Sequence, residues 1–412
     1  MSVTVVDIVI ACTSPTIVSE AAQICRWHKD GPRIPVASGS TERGTAARVV
    51  VFRSSIWLFP SRCIAVKTRA AILVEQKQPL VIEEVEVPAL KLGQVLVKVL
   101  VSGICGSQIG EIEGVKGPDK FLPHLLGHEG CGEVLEVGEG VRHVKPGDRV
   151  VLHWRKGAGL ESVPPVYESK IGRVKAGWVT TFNEYAVVSE NRLTRVPVDF
   201  DPEVAALFGC AVTTGFGVVN NNARLAIGES IAIFGAGGIG LNMVQGAALA
   251  GGNPIIALDR FDNRLDLARS LGATHVINVT KADAAEEIRR IVGHDGVDVA
   301  VDNTGNVDVI ALASRLTNSR GRTVLVGVPP QDSTAAISTL PLHFEKRLTG
   351  SHGGESRPEI DIPRYVRMVR ESRFSLASIV GRKYTLQSIN DALQDMRTGS
   401  LGGRAIVTLD RS

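Results

Sequence analysis

Ile231-Ala-Ile-Phe-Gly235-Ala-Gly237-Gly238-Ile-Gly240 is the stretch whose reading decides the fold of this chain. A short apolar run leads into three glycines spaced G-x-G-x-x-G, and a helix-like segment, Leu241 to Ala250, follows. The pattern predicts a strand, a tight turn and a helix N-terminus. Gly235 supplies the turn, Gly237 lets a pyrophosphate approach the main chain, and Gly240 lets the helix pack closely on the strand. The N–H groups of the first helical turn, Gly238 among them, then face the phosphates. A second apolar run, Ile255-Ile-Ala-Leu258, ends in Asp259, an acid placed to bind a ribose diol. A glycine-rich surface turn would need neither the flanking strand and helix nor the acid.

Working outward, the alternation continues. Strands are expected at Ile231, Ile255, His275, Val297 and Thr323, with helices between them at Gly238 to Ala250, Asn263 to Leu271, Ala282 to Val292 and Val307 to Leu316. Such alternation predicts an α/β, doubly wound parallel sheet. Leu348-Thr-Gly-Ser reads as its last, edge strand. From Lys67 to about Val198 the pattern is instead short strands and turns, as in Gln94-Val-Leu-Val-Lys-Val-Leu-Val and Val144-Lys-Pro-Gly-Asp-Arg-Val. These predict a partly open antiparallel barrel. The tail carries two helices and the strand Arg404-Ala-Ile-Val-Thr-Leu, and is assigned back to the barrel. The expected division is 1–66, an N-terminal extension; 67–212, the barrel domain; 213–352, the dinucleotide-binding domain; and 353–412, a return to the barrel domain.

The extension is Arg-rich and poor in acids, without sustained periodicity. A targeting segment, an extra module, and upstream sequence translated from an early start all fit such a composition. The last is favoured, with poor order as the outcome, because a well-patterned strand begins at Lys67.

With 412 residues, 44% hydrophobic and 22% charged, the composition is that of a globular protein with room for two cores. A net charge of +3 argues neither for nucleic acid nor for a membrane surface, and no apolar run approaches a membrane span. Six cysteines in a chain of this length do not resemble a disulfide framework.

Three residues carry candidate chemistry. Cys105 ends an apolar strand in Ser102-Gly-Ile-Cys-Gly-Ser107, His128 precedes Glu129 in Gly127-His-Glu-Gly, and Cys210 lies in Leu207-Phe-Gly-Cys-Ala-Val-Thr. Two thiolates and an imidazole suit zinc and leave a fourth position for substrate. Each alone reads equally as a small buried thiol or a satisfied histidine, and wide spacing adds little metal signal.

Taken together, Gly-Ile-Cys105-Gly-Ser107, Gly127-His128-Glu129, Val144-Lys-Pro-Gly-Asp-Arg, Gly209-Cys210 with Thr213-Thr214-Gly215, the glycine loop, Val326-Gly-Val-Pro-Pro and Gly403-Arg404 resemble, in order, the medium-chain zinc-dependent alcohol dehydrogenase family. The resemblance runs from Lys67 to the C-terminus. It implies a Rossmann domain interrupting a GroES-like catalytic domain, and hydride transfer between an alcohol, or its aldehyde or ketone, and NAD(P). It makes Cys105, His128 and Cys210 the ligands of one catalytic zinc. Glu129 becomes the carboxylate that approaches the metal, and Ser107 the hydroxyl that takes the substrate proton. Thr214, Val326 and Arg404 become cofactor contacts, and Trp154 lines the substrate pocket; core packing is the equal alternative for Trp154. A cytoplasmic homodimer or homotetramer acting on a small molecule is expected.

Four departures qualify the likeness. The region from Arg155 to Trp178 lacks the clustered cysteines of a structural zinc. Gln108 replaces an aspartate behind the ligand histidine. Gly110 occupies the position of a relay histidine, and Gly106 that of a phosphate-binding arginine. Cys131 reads as a packed thiol. NAD is expected over NADP, because Asp259 would repel a 2′-phosphate although Arg260 and Arg264 follow it. Two other readings compete: a zinc-free reductase of activated double bonds, which has no need of the Cys105, His128 and Cys210 set, and a catalytically silent cofactor-binding protein.

Overall fold

The computed structural model describes residues 66–409. The expectation for the N-terminal extension therefore lies outside the described residues, Val66 excepted.

The glycine-rich stretch forms a buried strand, Ile231–Phe234, followed by the helix Gly238–Leu249. Gly235 has φ +96°, where a side chain would be strained. A Cβ on Gly240 would lie 2.0 Å from the Gly235 carbonyl oxygen, so only glycine allows this helix its approach to the strand. The strand lies in a six-stranded sheet in the order His275–Asn278, Ile255–Asp259, Ile231–Phe234, Val297–Asp302, Thr317–Leu325, Arg347–Gly350. All its pairings are parallel. Its central strands are apolar on both faces because helices cover both. The direction of winding reverses between the neighbours of Ile231–Phe234, which opens a crevice at the carboxyl ends of the strands.

The other half is mostly antiparallel. Its longest strand, Gln94–Gly103, pairs with Glu129–Val137 on one side. Its other edge is shared: residues 94–98 pair with Tyr185–Ser189, and 101–103 with Arg404–Thr408. The C-terminal strand thus pairs with the first half, and its parallel neighbour Val380–Thr385 extends the sheet. Five short strands close into a barrel, sealed where Ile72 and Leu73 pair with Leu125 and His124. Closure exceeds the partly open barrel expected from the pattern. The extra strands are Val166–Ser169 and Gly172–Lys175, a hairpin with too little alternation to be legible.

That hairpin belongs to the cysteine-free region. A carboxylate stabilises the base of this region. Glu190, 1% exposed, accepts the main-chain N–H groups of Arg142 at 2.6 Å, His143 at 2.7 Å and Leu160 at 2.7 Å. Burial pushes its pKa up, but the three N–H donors outweigh burial and hold it below the usual range.

Candidate active site

Each candidate ligand lies where one element gives way to the next. Cys105 follows Gln94–Gly103 and caps the helix Gly106–Ile112. His128 precedes the strand Glu129–Val137, and Cys210 caps the helix Ala211–Gly217. Residues spread over 105 sequence positions thereby place Sγ of Cys105, an imidazole nitrogen of His128 and Sγ of Cys210 within 4.8 Å of one another. The two sulfurs are 3.9 Å apart. Both cysteines are buried, while His128 is half-buried and marks the open side. Close approach depends on Gly209, where a Cβ would lie 2.6 Å from Glu129 Cα.

The electrostatics of the cluster favour a dication. A hydrogen bond from Cys210 holds the Cys105 thiol well below its ordinary pKa, against burial. Cys210, as the donor, is held well above its own. Burial would push His128 down, but the Cys105 thiolate outweighs it and the imidazole is raised. Two soft sulfurs and one imidazole, converging with one open side, fit a catalytic zinc.

Behind His128 lies Gln108. Its Oε1 accepts the Gly127 N–H at 2.6 Å, and its Nε2 lies 3.0 Å from His128 Nδ1 and 3.2 Å from Glu111 Oε2. The amide oxygen of Gln108 is thus taken by the main chain. Glu111, three residues on, stands as the carboxylate behind the amide. Ser107 is exposed at the turn beside Cys105.

Glu129, fully buried, pairs with Arg404: Nε to Oε1 is 2.6 Å, and the second oxygen accepts the Ala211 N–H at 3.2 Å. Burial pushes the Glu129 carboxyl up, with Arg404 opposing. Arg404 also reaches the glycine loop, where a Cβ on Gly238 would lie 2.8 Å from its Nη1. One guanidinium therefore joins the thiolate cluster to the phosphate-binding turn. Thr214 Oγ1 is buried without a hydrogen-bond partner, as a donor awaiting a ligand would be. Nothing lies within 4 Å of a Cβ built on Gly237, which leaves room for a pyrophosphate. Val326, half-buried, follows the strand Thr317–Leu325 at the carboxyl end of the sheet. These features fit a dinucleotide.

Asp259 ends its strand 8% exposed. Its carboxylate accepts the N–H groups of Ala236 and Arg260, each at 2.8 Å, and Phe261 at 3.1 Å. Arg264 Nη1 is 3.8 Å from it, and Arg264 Nε donates to the Leu401 carbonyl at 3.3 Å. Arg260 is exposed and lies over the Phe261 ring.

Trp154 packs edge-on to His352, with ring centroids 5.0 Å apart, and its main-chain N–H donates to the Gly209 carbonyl at 3.4 Å. It therefore stands beside the Cys210 loop with its own indole N–H unpartnered. Sequence reasoning passed over His153, which is fully buried and donates from Nδ1 to the Arg155 carbonyl at 2.7 Å. Nothing in its local sequence distinguishes it. Burial lowers its pKa to about 4. Unfolded, an ordinary histidine near 6.5 takes up a proton that the folded site refuses. The stability His153 contributes is therefore complete above about pH 6.5 and is lost as pH falls towards about 4, by up to about 3 kcal/mol. Urea midpoints measured at pH 7.5 and 4.5 should show this loss, and His153→Gln should flatten the difference relative to wild type.

A cluster of soft donors that fits zinc, joined through Arg404 to a glycine turn that fits a dinucleotide, points to a metal-dependent, nicotinamide-linked dehydrogenase. Residues 91–198 match the alcohol dehydrogenase GroES-like domain, and residues 238–371 match the zinc-binding dehydrogenase domain. S-(hydroxymethyl)glutathione dehydrogenase of Escherichia coli O139:H28 is 34% identical over 362 residues, covering 81% of this chain and 97% of the relative. The crystal structure of an alcohol dehydrogenase zinc-binding domain protein from Burkholderia ambifaria is 30% identical, with a TM-score of 0.77, covering 84% of this chain and all of that one. Benzyl alcohol dehydrogenase from Acinetobacter calcoaceticus is 26% identical, with a TM-score of 0.75 and the same coverage. The chain belongs to the medium-chain zinc-dependent alcohol dehydrogenase family. It is accordingly a zinc- and NAD(P)-dependent oxidoreductase acting on CH–OH groups.

Proposed function

We propose that Cys105, His128 and Cys210 hold one catalytic zinc and that the enzyme moves a hydride between a small alcohol, or its carbonyl, and NAD(H). The convergence of the three donors within 4.8 Å carries this reading. When bound, zinc supplies Lewis-acid polarisation of the substrate oxygen, and NAD supplies the hydride acceptor. The chain's own residues do the rest. Ser107 takes the substrate hydroxyl proton and, with glycine at position 110, passes it to solvent. Glu129 stands beside the ligands, paired with Arg404. Gly235, Gly237, Gly238 and Gly240 shape the phosphate turn, while Thr214, Val326 and Arg404 line the nicotinamide side. Trp154 forms one wall of the substrate pocket. Residues 67–212 with 353–409 make the catalytic domain and 213–352 the nucleotide-binding domain.

NAD is preferred because Asp259 faces the place of the ribose hydroxyls and a 2′-phosphate there would meet a carboxylate. Arg264 does not offset this, since it is engaged by Asp259 and the Leu401 carbonyl. The kcat/KM ratio should favour NAD over NADP by about tenfold or more, equivalent to about 1.4 kcal/mol. Asp259→Ser should bring the ratio towards unity. A wild-type preference for NADP would overturn the assignment. A panel of alcohols and aldehydes assayed with both cofactors tests the reaction itself. Activity that survives complete zinc removal would instead favour a zinc-free double-bond reductase.

A further inference from the structure

A second group of potential ligands has one member, Glu111, that Gln108 links to His128, and two, Asp119 and His124, that take no part in the site above. Glu111, Asp119 and His124 each present one donor atom, and these atoms lie within 4.8 Å of one another. Glu111 is on the last turn of the helix Gly106–Ile112, Asp119 is in the loop that follows, and His124 is in the short barrel strand. The loop is pinned by Gln76, which donates to the Gly117 carbonyl at 3.1 Å and accepts the Asp119 N–H at 3.2 Å.

The hydrogen bonds around His124 are those of a metal ligand. The ring is buried, and Nδ1 lies 2.9 Å from the Leu125 carbonyl, so Nδ1 carries the proton. Nε2 then faces Asp119 Oδ2 at 2.8 Å. Two acceptors at that distance need a cation between them, either a proton or a metal. A second carboxylate, Glu111, faces the same point, and among the described residues no lysine or arginine forms an ion pair with either acid. Three donors, one imidazole and two carboxylates, therefore converge on one point. Gln108 Nε2 donates to Glu111 Oε2 at 3.2 Å, which leaves the other oxygen for a ligand.

We propose that Glu111, Asp119 and His124 form a second cation site, which takes a divalent transition-metal ion such as Zn²⁺ or Co²⁺. One imidazole and two carboxylates suit such ions better than Mg²⁺ or Ca²⁺. Tetrahedral bonds of about 2.0–2.1 Å put ligand atoms roughly 3.3 Å apart, which these side chains reach by small rotations. Both acids are only half-buried, so the ion exchanges with solvent and leaves on desalting, unlike the ion held by the thiolates.

The test is a calorimetric titration of the desalted, zinc-loaded full-length enzyme with ZnCl₂, repeated with CoCl₂. One further equivalent should bind. With cobalt it should appear without a thiolate-to-cobalt charge-transfer band, which separates it from exchange into the cysteine site. Glu111→Gln should weaken it about tenfold, within the range for loss of one supporting contact. His124→Asn should abolish it, with Asp119→Asn taking its place should the histidine variant fail to fold. The proposal fails if the wild-type enzyme takes up nothing beyond its resident zinc below about 100 µM, or if Glu111→Gln and the second variant retain wild-type affinity, which would leave only adventitious surface binding.

Discussion

Cys105→Ala and Cys210→Ala should each lower kcat by about a thousandfold or more, equivalent to about 4 kcal/mol of transition-state stabilisation. Both cysteines are 4% exposed and their sulfurs are 3.9 Å apart, so either variant leaves only two donors for the metal. Neither cysteine contributes to the glycine turn, and NADH binding followed by fluorescence should stay within about threefold of wild type, or ~0.7 kcal/mol. Zinc measured by mass spectrometry should fall from one ion retained per chain to none. The double variant should lose little more than either single one, because ligands of one ion act as a unit. Turnover that persists without retained zinc would remove the metal from the mechanism.

Arg404→Ala should cost about 3–5 kcal/mol of stability, because it strands the Glu129 carboxylate without a counter-charge in the interior. The pair is inaccessible to water, with side chains 5% and 0% exposed, so solvent screening does not soften the loss. A fall in Tm of roughly 5 °C is expected for a chain of this size. Adding Glu129→Gln in the same background should recover part of it, since an amide needs no counter-charge. Affinity for NAD should weaken as well, because the same guanidinium lies over Gly238. Normal cofactor affinity in a destabilised Arg404→Ala variant would confine the residue to a structural role.

Much of the architecture is written locally. Periods of two and of 3.6 residues place the strands and helices of both halves, and φ at Gly235 and the contact at Gly240 are demands that only glycine meets. The cysteine-free region is equally plain, because an absent ligand type is visible in composition. Asp259 could be chosen because its function depends on its distance from the glycines along one strand–helix–strand unit.

What stayed hidden depends on residues far apart in the chain. That Cys105, His128 and Cys210 converge follows from the sheet that joins Gln94–Gly103 to Glu129–Val137 and from the helix that begins at Ala211, and their spacing alone carried no metal signal. The side on which Gln108 spends its acceptor was decided by the Gly127 N–H, which only the folded turn brings near. His153 became a neutral, acid-sensitive group through complete burial, and His124 acquired Asp119 and Glu111 as neighbours only when the loop between them closed. Periodicity and turn chemistry are properties of neighbouring residues, so the sequence alone determines the elements. Desolvation and the meeting of charges are properties of the packed interior, so the tertiary structure alone decides what the site residues can do.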